Sequence, residues 1–478
     1  MKTILPFLPI CALLYSAPAM AAPPYAYISS IYPSSGTITV VDWTTNKVVT
    51  TIPVPTAFTD TPTCVAITPD GSLVYVAIQT EIASGDVSVI ATSSNTVVAT
   101  IPVALGGVSE SCMAISPDGA FVYLATYDNI TVISTATNTI VSVIPVNDAL
   151  YIAITPDGRF LYIPQEDRPQ SSSVVAVVAT ATNTLVATIP TGVEDVSGVT
   201  ITPNGKFVYI TTISRFWMPV ISTATNTVVT TVDIGDIQWS LVATPDGAGI
   251  YVATSDFLAL VSTATDTVSV TLPLRETIRS MAISPDGTLI YAPVDDFLSA
   301  FNVVATINAA TNTVGTAISV GKTADAVAFV PAAPPLLPVS PMQLIVKSTQ
   351  MCLDIQSYSY QPGAPAIQYW CEGGLNQRWL AAAAGDGSFT LTAQHSGEVL
   401  DVTGESTAPG AQPIQYPYWG GRNQRWYFET TIDDFYHVVS QNSGLCLDVV
   451  TTAQTPALSQ QNICSASDSQ KWQFVPWH

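Results

Sequence analysis

The sequence has little positive charge and very little histidine. Lys and Arg number 14 against 35 Asp and Glu in 478 residues, and the formal net charge is -21 at pH 7. A surface of this sign repels phosphate backbones and anionic lipids, so we predict no nucleic-acid partner. All three histidines (His395, His437 and His478) lie in the C-terminal third. The first two thirds therefore lack the usual general base and the commonest metal ligand, and we predict no cofactor and no metal.

Long apolar runs are also absent, except at the N-terminus. There Met1-Lys2 precedes the apolar residues 4–14 and the small-residue site Ala19-Met20-Ala21. These are the three parts of a secretory signal peptide, predicted over residues 1–21. Since no other segment reaches the roughly 18 apolar residues of a spanning helix, we predict a secreted or periplasmic protein without a membrane span.

A strand followed by a tight polar turn recurs seven times. The prolines of these turns repeat at a period near 40 residues: Pro69, Pro117, Pro156, Pro203, Pro245, Pro285 and Pro331. Alternating apolar and polar residues predict about four strands per repeat, and no segment has a convincing helical pattern. A period of about 40 residues with four strands predicts an all-β fold, a seven-bladed β-propeller over residues 22–332.

The ends of this region predict how the ring closes. The N-terminal residues supply three strands without an inner one, whereas residues 327–330 form an inner strand without its outer three. Both sets should share one blade, because this hides their edges. The repeats resemble the YVTN family of seven-bladed propellers through FVYITT (207–212), STATNTVV (222–229) and TPDG (68–71).

The loops that lead into each inner strand share an acid, and aromatic residues are predicted on the same rim. The acids are Asp60, Glu110, Asp148, Glu194, Asp195, Asp236, Glu276 and Asp325, and the aromatics are Tyr32, Tyr127, Phe216, Trp217 and Phe297. This acidic propeller rim is a candidate surface for a protein partner, and the alternative is that its acids only maintain solubility. Catalytic work by the acid pairs Glu166-Asp167 and Asp295-Asp296 has weak support.

A proline-rich linker, residues 333–342, separates the propeller from a different pattern over residues 343–478. Three units there open with CLDI (352–355), VLDV (399–402) and CLDV (446–449), and close with NQRW (376–379), NQRW (423–426) and SQKW (469–472). These motifs resemble the ricin-type β-trefoil lectin. The resemblance implies a C-terminal β-trefoil with Trp379, Trp426 and Trp472 in its core.

The same resemblance implies one sugar pocket per unit. The first unit offers Asp354, Gln368, Trp370, Asn376 and Gln377. The second offers Asp401, Gln415 and Asn423, with Tyr418 or Trp419 as the aromatic because Pro417 takes the place of Trp370. The third keeps Asp448 and Gln461, but Ile463 replaces the aromatic and Ser469 the asparagine.

The chemistry of these residues suits sugars, because carboxylate and amide groups read hydroxyls while an indole covers the apolar face of a pyranose. We expect function to decline from the first unit to the third. The alternative is that these Asp and Asn side chains only satisfy turn backbone groups.

Cysteines recur at equivalent places in the first and third units. Cys352 with Cys371 and Cys446 with Cys464 are therefore predicted to form disulfides within their units. Pairing of Cys64 with Cys112, at the starts of neighbouring inner strands, stays open.

These patterns predict a secreted carbohydrate-binding protein. Its trefoil would bind glycans, either galactose-type sugars or polysaccharide, and its propeller would act as an interaction scaffold. The alternative is a polysaccharide-targeted propeller enzyme, a hydrolase or lyase, with the trefoil as its carbohydrate-binding module.

Overall fold

The structure is a computed structural model, and it describes residues 24–31, 36–54, 61–79, 85–103, 113–126, 129–149, 151–167, 172–274, 278, 280–294, 302–321, 323–331, 341–383, 388–431, 433, 435–450 and 457–477. Over these residues the chain is all-β: it forms strands and five 3-10 helices of one turn each, and no α-helix. No helix in the described part of the chain is long and apolar enough to cross a membrane.

The N-terminal strands form seven separate antiparallel sheets, the blades of a propeller. Blade 1 contains β29 (Thr323–Phe329), β1 (Tyr25–Ile31), β2 (Gly36–Asp42) and β3 (Lys47–Pro53). Blades 2 and 3 contain β4 (Thr61–Ile67), β5 (Leu73–Gln79), β6 (Gly85–Ala91), β7 (Thr96–Val103), β8 (Met113–Ile115), β9 (Phe121–Thr126), β10 (Asn129–Ser134) and β11 (Thr139–Pro145). Blades 4 and 5 contain β12 (Ala153–Ile154), β13 (Phe160–Asp167), β14 (Ser172–Ala179), β15 (Thr184–Pro190), β16 (Val196–Ile201), β17 (Phe207–Thr212), β18 (Trp217–Ser222) and β19 (Thr227–Asp233). Blades 6 and 7 contain β20 (Gln238–Ala243), β21 (Gly249–Thr254), β22 (Phe257–Ser262), β23 (Thr267–Pro273), β24 (Ala282–Ile283), β25 (Leu289–Val294), β26 (Asn302–Asn308), β27 (Thr313–Val314) and β28 (Ile318–Gly321).

The ring closes as the sequence predicts. Strand β29, the last of the propeller, pairs antiparallel with β1, the first, and places Phe329 opposite Ala26. The order β29-β1-β2-β3 therefore completes blade 1 from the two ends of the propeller sequence. The pairing of β29 with β1 covers the edge that each of these two strands would otherwise expose at the junction, which removes a template for edge-to-edge association.

Hydrogen bonds from tyrosines join neighbouring blades at six of the seven blade junctions in the described structure. The polar turn between the two outer strands of a blade contains one residue in the left-handed conformation, which Asn and Asp tolerate. The side-chain oxygen of this Asn or Asp accepts a hydrogen bond from a buried tyrosine of the preceding blade. Six such bonds occur among the described residues, namely Tyr27 to Asn95, Tyr75 to Asn138, Tyr162 to Asn226, Tyr209 to Asp266, Tyr251 to Asn312 and Tyr291 to Asn46.

The Pro-Asp-Gly turns of neighbouring blades pack against one another. In the turn of blade 4, Asp157 Oδ1 accepts bonds from Thr155 Oγ1 at 2.5 Å and the Arg159 amide at 3.0 Å. Gly158 has φ 71°, and a Cβ there would lie 3.1 Å from Pro117 of the preceding blade. The turns therefore require glycine both for conformation and for the close approach of neighbouring blades.

The C-terminal residues form one sheet system of three similar lobes. Its strands are β30 (Met342–Val346), β31 (Cys352–Ile355), β32 (Ala366–Tyr369) and β33 (Trp379–Ala383) in lobe 1, β34 (Phe389–Ala393), β35 (Val399–Val402), β36 (Pro413–Tyr416) and β37 (Trp426–Thr430) in lobe 2, and β38 (Tyr436–Ser440), β39 (Cys446–Val449), β40 (Ala457–Asn462) and β41 (Trp472–Pro476) in lobe 3. The 3-10 helices are Gln356–Tyr358, Leu375–Gln377, Thr403–Glu405, Arg422–Gln424 and Asp468–Gln470.

The three repeated tryptophans form the centre of the trefoil core. Trp379, Trp426 and Trp472 are each 0% exposed. Each indole N–H donates to a leucine carbonyl of the opening strand of its own lobe, at 2.9 to 3.0 Å. The prediction that these tryptophans are core residues is confirmed.

Both predicted trefoil disulfides are present. Cys352 is bonded to Cys371 and Cys446 to Cys464, with Cα–Cα distances of 5.1 and 5.0 Å. Cys64 is also disulfide-bonded; Cys112, whose pairing with it the sequence left open, lies outside the described residues.

Candidate binding sites of the trefoil lobes

Lobe 1 holds a buried carboxylate between two amides. Asp354 lies at the end of β31, and the 3-10 helix Leu375–Gln377 brings Asn376 and Gln377 to it. Asp354 Oδ2 accepts from Asn376 Nδ2 at 2.9 Å and from Gln377 Nε2 at 2.8 Å. Since both bonds fall on Oδ2, Oδ1 accepts no hydrogen bond from the described residues and can accept one from a ligand hydroxyl.

Gln377 also fixes the loop that presents the aromatic residue. Its Nε2 donates to the Trp370 carbonyl at 2.6 Å, and its Oε1 accepts from the amides of Glu372 and Gly373. The disulfide of Cys371 holds the same loop. The Trp370 indole, in contrast to the three core indoles, is 56% exposed.

The electrostatics of lobe 1 centre on Asp354. Burial raises the pKa of Asp354 from 3.8 to about 6, the neighbouring Glu372 carboxylate acts in the same direction, and the amide bonds from Gln377 and Asn376 act against them. A buried carboxylate with one uncommitted oxygen is a strong acceptor for a hydroxyl once it is ionised.

Lobe 2 keeps the carboxylate and both amides but distributes the bonds differently. Asn423 donates to Asp401 Oδ1 at 2.8 Å, and Gln424 donates to Oδ2 at 2.9 Å. Burial raises the pKa of Asp401, and hydrogen bonds from Gln424, Asn423 and the Trp419 side chain act against it. Each Asp401 oxygen therefore already accepts a hydrogen bond from the protein, whereas Asp354 Oδ1 in lobe 1 accepts none from the described residues.

The aromatic residue that approaches Asp401 is Trp419. Its ring also lies against Gly421, where an added Cβ would meet it at 2.3 Å. Tyr418 is exposed and takes the position that Cys371 holds in lobe 1, because Gln424 bonds the Pro417 carbonyl as Gln377 bonds that of Trp370. Of the two aromatics left open by the sequence, the geometry therefore favours Trp419 over Tyr418.

Lobe 3 has lost the arrangement. With Ser469 in the place of the asparagine, Asp448 Oδ2 accepts instead from Asn462 at 3.1 Å and Gln460 at 3.3 Å. Gln470 donates to the Ile463 carbonyl at 3.0 Å but not to the carboxylate. The side chain in the position of Trp370 is Ile463, which is 68% exposed and cannot stack as an aromatic does.

The three glutamines in the middle of the units point away from these carboxylates. Gln368, Gln415 and Gln461 are buried. Gln415 Nε2 donates to the carbonyls of Ser359 and Gln361 in lobe 1, and Gln461 Nε2 donates to those of Ser406 and Ala408 in lobe 2. Gln368 Oε1 accepts from Thr349 at 2.7 Å. These side chains link neighbouring segments of the trefoil by hydrogen bonds to residues away from the three carboxylates.

Two aromatic residues near the carboxylates are weakly predicted, or not predicted, as site residues by the aligned repeats. Trp419 is shifted by two positions from the aromatic of lobe 1. Tyr358 follows the opening strand, and its ring lies 3.8 Å from the point where a Cβ of Gly374 would be. Only the fold shows that Tyr358 adjoins the site, because its neighbours there come from a different part of the unit.

Part of the predicted propeller rim is described. Phe216 and Trp217 are exposed, and Arg215 lies 3.7 Å from Glu194 and 5.6 Å from the centre of the Trp217 ring. The rim residues Asp60, Glu110, Glu276, Tyr32, Tyr127 and Phe297, like the pair Asp295-Asp296, lie outside the described residues. Within the described ranges, no group of three or more His, Cys, Asp or Glu could hold a metal ion.

The two domains touch at lobe 2. Arg422, directly before Asn423, lies 3.1 Å from Asp157 in the Pro-Asp-Gly turn of blade 4. Both side chains are partly exposed, so the pair contributes at most about 1 kcal/mol to this contact.

Fold and lobes together define a two-domain all-β protein, a seven-bladed propeller followed by a trefoil of lectin type. Residues 340–472 match the family described as Ricin-type beta-trefoil lectin domain, and residues 25–146 match that described as Lactonase, 7-bladed beta-propeller. The chain thus contains a seven-bladed propeller followed in sequence by a ricin-type lectin domain. The finer resemblance to the YVTN family stays a prediction.

Solved structures resemble each part separately. One is a designed 3-fold symmetric protein, ThreeFoil, with 38% sequence identity. The match covers 29% of this chain and 99% of that chain, with a TM-score of 0.28. Another is a functionally unknown protein from Desulfotomaculum acetoxidans, with 19% sequence identity. The match covers 64% of this chain and 98% of that chain, with a TM-score of 0.54. At this identity the similarity shows the fold alone. No curated protein matches the chain.

Proposed function

We propose that this protein is an exported carbohydrate-binding protein whose trefoil binds glycans and whose propeller is an interaction scaffold. One observation supports the proposal: in lobe 1, Gln377 bonds both the buried Asp354, whose Oδ1 is uncommitted, and the carbonyl of Trp370, whose indole is exposed. A hydroxyl acceptor next to an aromatic face is the arrangement that a pyranose requires.

The ligand class follows from these two groups. One sugar hydroxyl donates to Asp354 Oδ1, and the apolar face of the ring lies on Trp370. Galactose-type sugars suit the indole, because their axial hydroxyl leaves the other side of the ring as a continuous C–H surface. The ligand is therefore a galactose-type sugar, free or within a polysaccharide.

The lobes differ in their expected contribution. Lobe 1 is the main site, lobe 2 is a weaker one because both Asp401 oxygens are already bonded, and lobe 3 contributes least because it lacks the asparagine and the aromatic. A glycan that presents several sugars would gain avidity from lobes 1 and 2 together.

Export rests on the signal-peptide pattern of residues 1–21 and on the disulfides, which persist in oxidising compartments. We place the propeller at residues 22–332, the linker at 333–342 and the trefoil at 343–478. The acidic propeller rim remains the proposed surface for a protein partner. No described feature of the propeller favours the hydrolase or lyase alternative.

Replacing Trp370 tests the proposal. Trp370→Ala removes the stacking surface, and about 70 Å² of buried apolar contact corresponds to about 2 kcal/mol, roughly a 30-fold loss of affinity. The measurement is calorimetric titration of the full mature chain with methyl galactoside and with a galactose-containing polysaccharide.

The matched control is Ile463→Ala, which truncates the exposed side chain at the same position of lobe 3. Affinity in this variant should equal that of the wild type. If Trp370→Ala and Ile463→Ala bind alike, or if the wild type binds no saccharide, the proposed function is wrong.

A further inference from the structure

Three aromatic rings form a cluster at the boundary of lobes 1 and 2. The ring centres of Tyr358 and Tyr360 are 5.9 Å apart, and the His395 ring lies 5.0 Å from the first and 5.3 Å from the second. Tyr358 is 39% exposed and Tyr360 is 59% exposed. Neither the core nor the carboxylate site uses this surface.

The cluster adjoins the lobe 1 site directly. The point where a Cβ of Gly374 would lie is 3.8 Å from the Tyr358 ring and 2.5 Å from Asn376 Oδ1. Asn376 in turn donates to Asp354. A ligand on Asp354 that extends past Asn376 therefore meets the ring of Tyr358 next.

The backbone of this loop is held in an unusual conformation. Ser357 and Tyr358 have φ angles of 58° and 55°, in the left-handed region that residues with a Cβ rarely adopt. The corresponding residues of lobe 2 are Gly404 at 62° and Glu405 at 53°. Lobe 1 thus has two successive non-glycine residues with a strained backbone, whereas lobe 2 has a glycine at the first of these positions. Backbone strain of this kind concentrates at ligand sites.

Lobe 2 supplies the contacts that hold the loop. The Ser359 carbonyl is 2.7 Å from His395 Nε2 and accepts from Gln415 Nε2 at 2.8 Å. Gln415 also bonds the Gln361 carbonyl at 3.0 Å. The tyrosines are therefore presented by a loop that is fixed before a ligand arrives, which lowers the entropic cost of binding.

We propose that Tyr358, Tyr360 and His395 form a second saccharide subsite, so that lobe 1 binds a glycan of at least two sugar rings. This rests on the proposed function of lobe 1. The second ring packs its C–H face on the tyrosines, and their hydroxyls bond sugar hydroxyls. Lobe 2 has Glu405, Thr407 and Asn442 at the corresponding positions and therefore lacks this platform.

The test compares ligand length with and without the platform. Methyl galactoside and galacto-oligosaccharides of two to four rings are titrated into the full mature chain. The wild type should bind the disaccharide about tenfold more tightly than the monosaccharide. Tyr360→Ala should remove that gain and leave monosaccharide affinity unchanged, and Thr407→Ala, its counterpart in lobe 2, should match the wild type.

The outcomes separate the two proposals. If monosaccharide binding depends on Trp370 but a second ring adds nothing, or if Tyr360→Ala leaves the gain intact, the subsite is wrong and the proposed function stands. If Tyr360→Ala weakens monosaccharide and disaccharide equally, the tyrosine belongs to the first pocket and the subsite is again wrong. If the wild type binds no saccharide, both proposals fail. Thermal melting confirms that the substitution of this exposed residue leaves the fold intact.

Discussion

Saccharide affinity at lobe 1 should fall as the pH is lowered through about 6, because Asp354 must be ionised to act as a strong acceptor. Burial is the main reason that the pKa of Asp354 rises from 3.8 to about 6. An anionic acceptor makes hydrogen bonds roughly twice as strong as a neutral one. Protonation therefore weakens the bond to the sugar hydroxyl on which the site depends.

The magnitude follows from the titration. A group with a pKa of about 6 is roughly 90% ionised at pH 7 and roughly 10% ionised at pH 5, so the affinity should fall about tenfold between these values. Calorimetric titration with methyl galactoside in steps from about pH 8 to about pH 4 measures this profile. Asp354→Asn is the control: it keeps the size of the side chain, binds weakly, and should show a flat profile.

The effect of Asp354 on folding has the opposite sign. Since its pKa in the folded state exceeds that of the unfolded chain, the folded state binds more protons between about pH 4 and about pH 6. Its contribution to stability falls as the pH rises through this window, by about 3 kcal/mol at most. Loss of affinity at low pH therefore cannot arise from unfolding driven by this group. A constant affinity from pH 8 to pH 5, or a wild-type profile in Asp354→Asn, would refute the reasoning.

Two further substitutions test how the trefoil is held together. Gln415→Ala leaves the partly buried carbonyls of Ser359 and Gln361, and the Ser396 hydroxyl, without their partner, and it should lower the free energy of unfolding by about 2 kcal/mol in urea titrations. The exposed Gln361→Ala should not do so, and an unchanged midpoint for Gln415→Ala would contradict its structural role. Replacing the Cys446–Cys464 disulfide by alanines opens a loop with a sequence separation of 18 residues and should cost about 3 kcal/mol in the same assay. Methyl galactoside affinity should not change, and a loss of affinity would show that lobe 3 supports the main site.

Much of the fold could be predicted from the sequence because it is built from repeats. Each repeat must bury an apolar side against its neighbours, so the period and the turn residues indicate both the propeller and the trefoil. The incomplete strand sets at the two ends of the propeller predict the shared blade. The core position of Trp379 and its two counterparts follows from the same logic, since only three lobes together close a core.

The site was harder to predict because spacing does not show which way a side chain points. Gln415 recurs at a fixed place in its unit, yet its amide bonds the preceding lobe. Trp419 stands two positions away from the residue that aligns with Trp370, and a loop of different shape carries it to Asp401. His395 lies 36 residues beyond the carbonyl that it contacts, Ser359, and only the packing of lobe 2 on lobe 1 brings them together.

A crystal of the mature chain soaked with a galactose disaccharide tests the central claim most directly. We predict one sugar ring with a hydroxyl on Asp354 Oδ1 and its C–H face on Trp370, and the second ring over Tyr358 and Tyr360. Saccharide bound elsewhere with lobe 1 empty, or no saccharide at any lobe when the ligand is in excess, would contradict the assignment of this carboxylate and indole to glycan binding.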